Sequence, residues 1–291
     1  MEKLGALDNL KITVLAEDSV LYESPYLGQH GLSFLLEATE GGNTGRVLVD
    51  VGQDSQALLY NMRIMNVSPS AIDAIALTHC HYDHTKGIVN MLREIGKRGI
   101  RVVAHPDIFR ANLVGDTHFR HVGIMPDDSQ DNIEKAGGSL FLSKDPFVLM
   151  PGIMTTGEVK RRTEFEKVGG LKTIESGKVK DDQMLDDISV VANVKGKGLV
   201  IVTGCSHAGI INIAKQAIEL TGCEKIEGII GGLHLVDASD AQIKRTVEEL
   251  AKLNISWICP GHCTGFKAQV ELYLAFKDRF SPLHTGMRLE I

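Results

Sequence analysis

Four side chains of the types that bind divalent metals are clustered between positions 79 and 84 of this chain. They are His79, His81, Asp83 and His84, and they directly follow an apolar run. Imidazole nitrogens combined with carboxylate oxygens suit Zn²⁺ and related divalent ions. His79 and His81, two positions apart, are predicted to reach one cation, and Asp83 and His84 a second. This spacing indicates a metal centre rather than a polar surface turn.

Buried strands are expected to position this cluster, because short runs rich in Val and Ile and bounded by Gly, Asp or Asn recur along the chain. The predicted strands are Leu10–Leu15, Leu32–Glu37, Arg46–Val51, Ile72–Thr78, Ile100–Ala104, Ile188–Val194, Leu199–Thr203, Ile226–Ile230 and Ile255–Cys259. Apolar residues at helical spacing predict helices over Gln56–Asn66, Gly209–Leu220, Ser239–Leu253 and Ala268–Phe276. Two successive strand-rich halves with helices favour an α/β fold, in which helices cover the sheets.

The motif His-x-His-x-Asp-His at 79–84 resembles the signature of the metallo-β-lactamase superfamily. Val49-Asp50-Val51-Gly52 resembles the strand end that precedes this signature, and Pro260-Gly261-His262 resembles the segment that supplies the last ligand. The resemblance implies an αββα four-layer sandwich with the metal site at one edge of the sheets. It further implies a single domain over residues 1–291.

A longer series of motifs resembles the branch of that superfamily related to 7,8-dihydropterin-6-methyl-4-(β-D-ribofuranosyl)aminobenzene-5′-phosphate synthase. In chain order they are Gly31-Leu-Ser, His81-Tyr-Asp-His-Thr, His105-Pro-Asp, Thr156-Gly-Glu, Thr203-Gly-Cys-Ser-His-Ala-Gly209, Gly231-Gly-Leu-His-Leu235 and His262-Cys-Thr-Gly265. This resemblance runs from about residue 10 to the C-terminus. It implies a small phosphorylated or pterin-like substrate and leaves hydrolysis and group transfer as alternatives.

The chain departs from the superfamily pattern at Cys205, where the common pattern has an aspartate, and no histidine lies between His121 and His207. The resemblance then implies a first metal site of His79, His81 and His207, and a second of Asp83, His84 and His262. Cys205 would bridge the metals, ligate weakly or only pack. Two divalent ions are expected, foremost zinc, with manganese and iron as alternatives.

Four further residues receive expected roles in catalysis or substrate binding. His234 follows a predicted strand and is expected to orient substrate, donate a proton or bind metal, and Asp83 is expected to accept a proton. Arg161 and Arg162 are candidates for binding a phosphate, since guanidinium matches its geometry, although a solvated charge cluster explains them equally well. They lie in the irregular segment 107–187, which is interpreted as a lid or insertion.

Composition narrows the classes of function that this metal centre could serve. The net charge is −6 and there is no long basic run, so a nucleic-acid partner is not expected. No stretch approaches ~20 apolar residues, so no membrane span is expected. Five cysteines and an N-terminus without a signal-peptide pattern favour the cytoplasm. The expected partner is a small-molecule substrate, and a homo-oligomer is left open.

Several functions use such a metal centre. In a hydrolase, a hydroxide formed between two metals would attack the substrate. In the transferase branch, the metals would instead bind the diphosphate leaving group. A general metallo-hydrolase (lactonase, thioesterase or phosphodiesterase) and a non-catalytic metal-binding module are the alternatives. A flavodiiron-type redox protein is disfavoured, since it would carry a carboxylate at the position of His81.

Overall fold

The described part of the chain folds around two large β-sheets and one small one. A computed structural model of the protein describes residues 4–291. The strands are β1 (Asn9–Ala16), β2 (Ser33–Glu40), β3 (Asn43–Val49), β4 (Ala74–Ala76), β5 (Ile100–Ala104), β6 (Asn112–Val114), β7 (Arg120–His121), β8 (Gly138–Leu142), β9 (Val148–Met150), β10 (Ile153–Thr155), β11 (Leu171–Glu175), β12 (Lys178–Asp181), β13 (Val190–Val194), β14 (Gly198–Thr203), β15 (Ile226–Gly232), β16 (Trp257–Gly261) and β17 (Arg288–Glu290).

Within the described residues, seven α-helices connect and cover these strands. They are α1 (Ser55–Ile64), α2 (Tyr82–Thr85), α3 (Ile88–Ile95), α4 (Gln130–Lys135), α5 (Ile210–Thr221), α6 (Asp240–Lys252) and α7 (Phe266–Phe276). Short 3₁₀ turns occur at Pro69–Ala71, Pro106–Phe109, Pro126–Asp128, His262–Thr264 and Lys277–Arg279.

The strand order shows how the two large sheets are built. The first sheet has the order β17-β1-β2-β3-β4-β5-β8, and the second has the order β16-β15-β14-β13-β10-β9. A small third sheet has the order β12-β11-β6-β7. In the second sheet β14, β15 and β16 are parallel neighbours, so their carboxyl ends meet at one edge. In the first sheet β3, β4 and β5 are parallel in the same way.

Alternation of side chains along each strand produces three apolar layers. Val200 and Val202 of β14 pack into the core between the two large sheets, whereas Leu199 and Ile201 pack against the helices on the outer face. The first sheet repeats this arrangement: Leu36 faces the second sheet and Leu35 faces the helices. Such period-2 burial on both faces requires helices outside both sheets. The predicted αββα sandwich is therefore confirmed.

Each of the nine predicted strands and four predicted helices overlaps an observed element of the same type. The sequence reasoning missed α3, whose apolar residues Ile88, Met91, Leu92 and Ile95 are all buried under the first sheet. Ser239 caps α6 as its spacing to Gln242 indicated, since its hydroxyl accepts from the Gln242 backbone N–H at 3.3 Å.

The segment 107–187 is divided between two locations in the fold. Strand β8 pairs with β5 in the first sheet, and β10 pairs with β13 in the second, so these parts belong to the sandwich. Only β6, β7, β11 and β12 form a separate small sheet. Within the segment 107–187, the small sheet is therefore the part that could be the predicted lid or insertion. That it acts as a lid stays a prediction.

Two expectations about location concern limited parts of the chain. Within residues 4–291, no helix has the length and apolar character needed to cross a membrane. Met1–Lys3, part of the N-terminal stretch on which the cytoplasmic prediction rests, lie outside the described residues.

Candidate metal centre

Strand ends bring the predicted ligands to one edge of the sandwich. The 79–84 motif follows β4, and its last residues form α2. Three parallel neighbours of the second sheet each deliver one histidine beyond their carboxyl ends: His207 after β14, His234 after β15 and His262 after β16. Each of these histidines follows the end of a rigid strand. The strand fixes the position of the backbone, and the turn after it lets the side chains converge.

The first cluster contains His79, His81 and His207, each with one ring nitrogen within 4.8 Å of the others. His79 Nε2 lies 3.1 Å from His81 Nδ1. Two nitrogens bound at ~2.0–2.1 Å to one tetrahedral zinc ion would stand about 3.3 Å apart. The separation between these two nitrogens therefore fits joint binding of one ion.

The second cluster contains Asp83, His84 and His262, again with one candidate ligand atom each within 4.8 Å of the others. His84 Nε2 lies 3.3 Å from His262 Nε2, and Asp83 Oδ2 lies 3.2 Å from the latter atom. Two nitrogens and a carboxylate oxygen at these separations fit a second divalent ion.

The opposite nitrogen of three of these histidines is held by an oxygen. Asp50 Oδ2 lies 2.7 Å from His84 Nδ1, and Asp18 Oδ1 lies 2.9 Å from His262 Nδ1. The Thr78 hydroxyl donates to Asp50 at 2.7 Å and so accepts from His79 Nδ1, which lies 3.0 Å away. In the neutral form of each ring, which is the form that binds metal, the proton is held away from the cluster and Nε2 has a lone pair facing it.

His207 provides an independent test of whether a metal fits. It is buried, and neither ring nitrogen has a hydrogen-bond partner among residues 4–291. Burial, together with the nearby His234, holds the pKa of His207 well below its ordinary value, so the ring is neutral. A buried polar group without a partner is costly, and a neutral imidazole is the form that binds metal. The donor set therefore fits a divalent cation.

Charges around the second cluster also favour a cation. Burial lowers the pKa of His84, but the carboxylates of Asp83 and Asp50 outweigh it and raise that pKa to about 9. Burial raises the pKa of Asp83, but the charge of His84 and hydrogen bonds from His262 and His84 hold it well below its ordinary value. Two buried carboxylates next to one imidazole form a negative site that a divalent ion would neutralise.

Cys205 and Cys263 contribute sulfur to the same region. Cys205 Sγ lies 3.3 Å from His84 Nε2, and it also groups with His79 and His84 within 4.8 Å. Another set within that distance joins Cys205, His234 and Cys263. The ring centroid of His234 lies 3.9 Å from that of His207, and its buried Nδ1 has no hydrogen-bond partner in the described part of the chain. The structure thus places His234 beside the cluster, and its role remains a proposal.

Sequence reasoning missed His30, Cys263, Asp18 and Asn112. His30 is half exposed at the mouth of the site, with Nδ1 3.3 Å from Asp18 Oδ2 and Nε2 3.5 Å from Asp83 Oδ2. The sequence signal nearest to His30 was Gly31, which belongs to the motif Gly31-Leu-Ser. The structure explains the glycine, because a Cβ there would lie 1.8 Å from the Asp83 carbonyl oxygen. The first turn of the motif thus packs directly against the loop that carries Asp18 and His30.

The structure does not bring the two candidate phosphate-binding arginines into contact with the histidines. Arg161 Nη2 donates to the carbonyls of Gln183 and Met184 at 3.0 and 2.9 Å. The Arg162 guanidinium pairs with Glu219 on α5. Both groups therefore have other partners in this conformation, and a phosphate-binding role for either one would require its release.

Several residues at the site have a strained backbone conformation. Asp50, Ser206, His234 and His262 all have positive φ, between 44° and 61°, although none is glycine. This conformation is costly for such residues and persists only where the surroundings enforce it. Three of the four stand at or just past the ends of β14, β15 and β16, and Asp50 follows β3. The strain accompanies the turns that aim side chains at the centre.

Comparison with protein families gives a match over most of the chain. The family model described as the metallo-beta-lactamase superfamily matches residues 28–262. The 7,8-dihydropterin-6-methyl-4-(beta-D-ribofuranosyl)-aminobenzene-5′-phosphate synthase of Methanocaldococcus jannaschii is 43% identical over 287 residues, which cover 97% of both chains. An uncharacterized protein of the same organism is 35% identical over 255 residues, or 88% of this chain and 91% of that one.

Solved structures show the same architecture. A metal-dependent hydrolase of the beta-lactamase superfamily superposes with a TM-score of 0.81 at 25% identity, covering 97% of this chain and 99% of that one. The metallo-beta-lactamase fold protein YhfI from Bacillus subtilis superposes with a TM-score of 0.59 at 15% identity, covering 98% and 100% of the two chains. The second likeness concerns the fold alone.

Proposed function

The chain belongs to the metallo-beta-lactamase superfamily, and from this premise we propose that it is a metal-dependent enzyme acting on a small phosphorylated, pterin-like substrate. The observation that carries the proposal is the 43% identity to a dihydropterin-linked synthase over 97% of both chains. The convergence of five imidazoles and one carboxylate in two adjacent clusters supports the use of two divalent ions, zinc foremost.

The proposed reaction is displacement of diphosphate from a dihydropterin-methyl diphosphate by the ring or amine of a ribofuranosylaminobenzene phosphate. Bound divalent ions would supply Lewis acidity, which stabilises charge on departing oxygens and lowers the pKa of water. The carboxylate of Asp83 and the imidazole of His234 are the proposed proton-handling groups. Asp83 Oδ2 lies 3.4 Å from His84 Nε2, and buried His234 Nδ1 is free of hydrogen bonds within the described residues.

A second candidate function is hydrolysis. It is favoured by the structural likeness, at a TM-score of 0.81, to a metal-dependent hydrolase. The same ligands suit both reactions, because each needs positive charge beside developing negative charge. Lactones, thioesters and phosphodiesters are the corresponding substrate classes.

Metal analysis followed by a product assay tests the proposal. We expect close to two equivalents of divalent metal per chain, and diphosphate release that is lost with a chelator and restored by the metal. If the reaction is transfer, diphosphate release should depend on the added ribofuranosylaminobenzene phosphate, and the two substrates should form a coupled product. Release without that acceptor, together with a free pterin alcohol, would instead support hydrolysis. Turnover indifferent to metal would overturn both functions.

A further inference from the structure

Asn112 of the small sheet contacts a histidine of the metal motif. It is buried on β6, and its Oδ1 lies 3.1 Å from His81 Nε2. Its Nδ2 donates to Asp182 Oδ2 at 2.7 Å. An ionised carboxylate only accepts hydrogen bonds, so the amide nitrogen of Asn112 must face Asp182. The amide oxygen must therefore face His81 and accept the proton carried by Nε2.

This contact determines which nitrogen of His81 is free to bind a metal. A neutral imidazole carries one proton, and the hydrogen bond to Asn112 places it on Nε2. Nδ1 then has the lone pair, and Nδ1 is the atom that lies 3.1 Å from His79 Nε2. At the corresponding place His84 has the carboxylate of Asp50 and His262 that of Asp18, whereas His81 has the amide of Asn112.

A network of charges holds Asn112 in this orientation. Arg110 donates from Nε and Nη2 to the two oxygens of Asp182 at 2.7 and 3.1 Å. The same guanidinium lies 2.8 Å from Asp186 Oδ1. Asp186 Oδ2 in turn accepts from the backbone N–H of Cys80 at 2.7 Å. The network therefore begins at the His81 side chain and returns to the main chain one residue before it.

The main chain adds a second connection between the small sheet and the motif. The Tyr82 N–H donates to the Val122 carbonyl, and the Val122 N–H donates to the Asn112 carbonyl, both at 2.9 Å. The small sheet is thus attached to both flanks of His81. A change in the position of His81 must displace β6 or break these bonds.

We propose that Asn112 is a positioning residue that presents Nδ1 of His81 to the metal, and that the small sheet is thereby coupled to metal binding. The proposal rests on the proposed function only in requiring a metal at the first cluster, not in requiring a particular reaction. Coupling between two equilibria is reciprocal. The contact of the small sheet with His81 should therefore strengthen metal binding, and bound metal should stabilise that contact by the same free energy.

Three variants test the hydrogen bond to His81. Asn112→Leu keeps the approximate size and removes the acceptor, and we expect ~10–100-fold weaker metal binding, the usual effect of losing a partner behind a histidine ligand. Asn112→Asp keeps an acceptor but opposes the Asp182 carboxylate, so it should also bind weakly. The conservative variant Asn112→Gln leaves Asp182 and its bonds to Arg110 unchanged and keeps an amide oxygen that can accept from His81, so it should lose less affinity than Asn112→Leu.

The measurements are competition between the protein and a chromophoric chelator for Zn²⁺, and the visible spectrum of the Co²⁺-loaded protein. The spectrum should shift in Asn112→Leu and shift less in Asn112→Gln, which a purely structural role would not produce. Asn90→Leu, an exposed position on α3, is the matched control and should leave affinity and spectrum unchanged. Wild-type affinity and spectrum in Asn112→Leu, or a spectrum altered as much in Asn112→Gln as in Asn112→Leu, would overturn the proposal.

Hydrogen exchange of the wild-type protein tests the coupling without any variant. Addition of Zn²⁺ should slow exchange of the β6 and β11 amides at least threefold, and exchange that is unaltered by bound metal would disprove the coupling. Metal bound normally but without turnover would refute the proposed function and leave the role of Asn112 intact. A wild-type protein that binds no divalent metal would refute both.

Discussion

The carboxylate of Asp50 lies 2.7 Å from Nδ1 of His84, and both side chains are fully buried. Asp50 also accepts from the backbone N–H and the hydroxyl of Thr78, each at 2.7 Å. One carboxylate therefore holds Thr78, the residue just before the metal motif, and His84, the histidine that closes it. Because Asp50 has positive φ at the end of β3, the backbone bears strain to keep this side chain in place.

Asp50→Asn should weaken metal binding at the second cluster by ~10–100-fold, because the amide can donate to His84 Nδ1 and favour the wrong tautomer. Chelator competition with purified protein measures this loss. Asp54→Asn is the matched control: Asp54 caps α1 by accepting from Gln56 and Ala57, and Asn caps helices equally well. Equal metal affinities of the two variants would contradict the assigned role of Asp50.

His81→Ala should reduce metal-dependent turnover by about a hundredfold or more while leaving the fold intact, because it removes the ligand between His79 and His207. Steady-state kinetics and circular dichroism make the comparison. His118→Ala, at an exposed position, serves as the control and should be silent. Unchanged turnover with full metal content in His81→Ala would remove His81 from the ligand set.

Cys205→Asp should retain metal binding, because a carboxylate of similar size can replace the thiol that lies 3.3 Å from His84 Nε2. Metal equivalents per chain, measured by elemental analysis, provide the test. Cys223→Asp, in a half-buried loop position, controls for the general effect of a new charge. Complete loss of metal only in Cys205→Asp would show that the thiolate is an essential ligand.

Gly31→Ala should destabilise the protein by ~3 kcal/mol or more, because the new Cβ would lie 1.8 Å from the Asp83 carbonyl oxygen. Gly42→Ala is matched in having positive φ but has nothing within 4 Å of the added carbon, so it should cost only about 1–2 kcal/mol. Urea unfolding gives both values. Similar losses in the two variants would mean that the loop of Gly31 moves freely away from the motif.

Most of the architecture and the types of the ligand residues could be predicted from the residue pattern. Val and Ile runs with period-2 burial placed the strands, because a strand covered on both faces needs apolar side chains on both. The shorter elements of the segment 107–187 escaped prediction, since strands such as Val148–Met150 are only three residues long. Three residues are too few to show a period against the surrounding polar sequence.

What the sequence alone determined is the chemistry of the donors and their convergence. His79, His81, Asp83 and His84 are neighbours along the chain, and His207 and His262 follow runs that had to be strands. Local spacing and the parallel strand ends suffice to place such side chains at one edge. Arg161 and Arg162 show the limit of this reasoning, because charge alone did not reveal their partners Met184 and Glu219.

Only the tertiary structure decided which atom of each histidine faces the centre. That choice depends on oxygens far away in the chain: Asn112 is 31 positions from His81, and Asp18 is 244 positions from His262. A hydrogen bond acts over about 3 Å in space and leaves no fixed spacing in sequence. The tautomers, the connection to the small sheet and the approach of Cys263 and His30 therefore follow from packing, not from the motif.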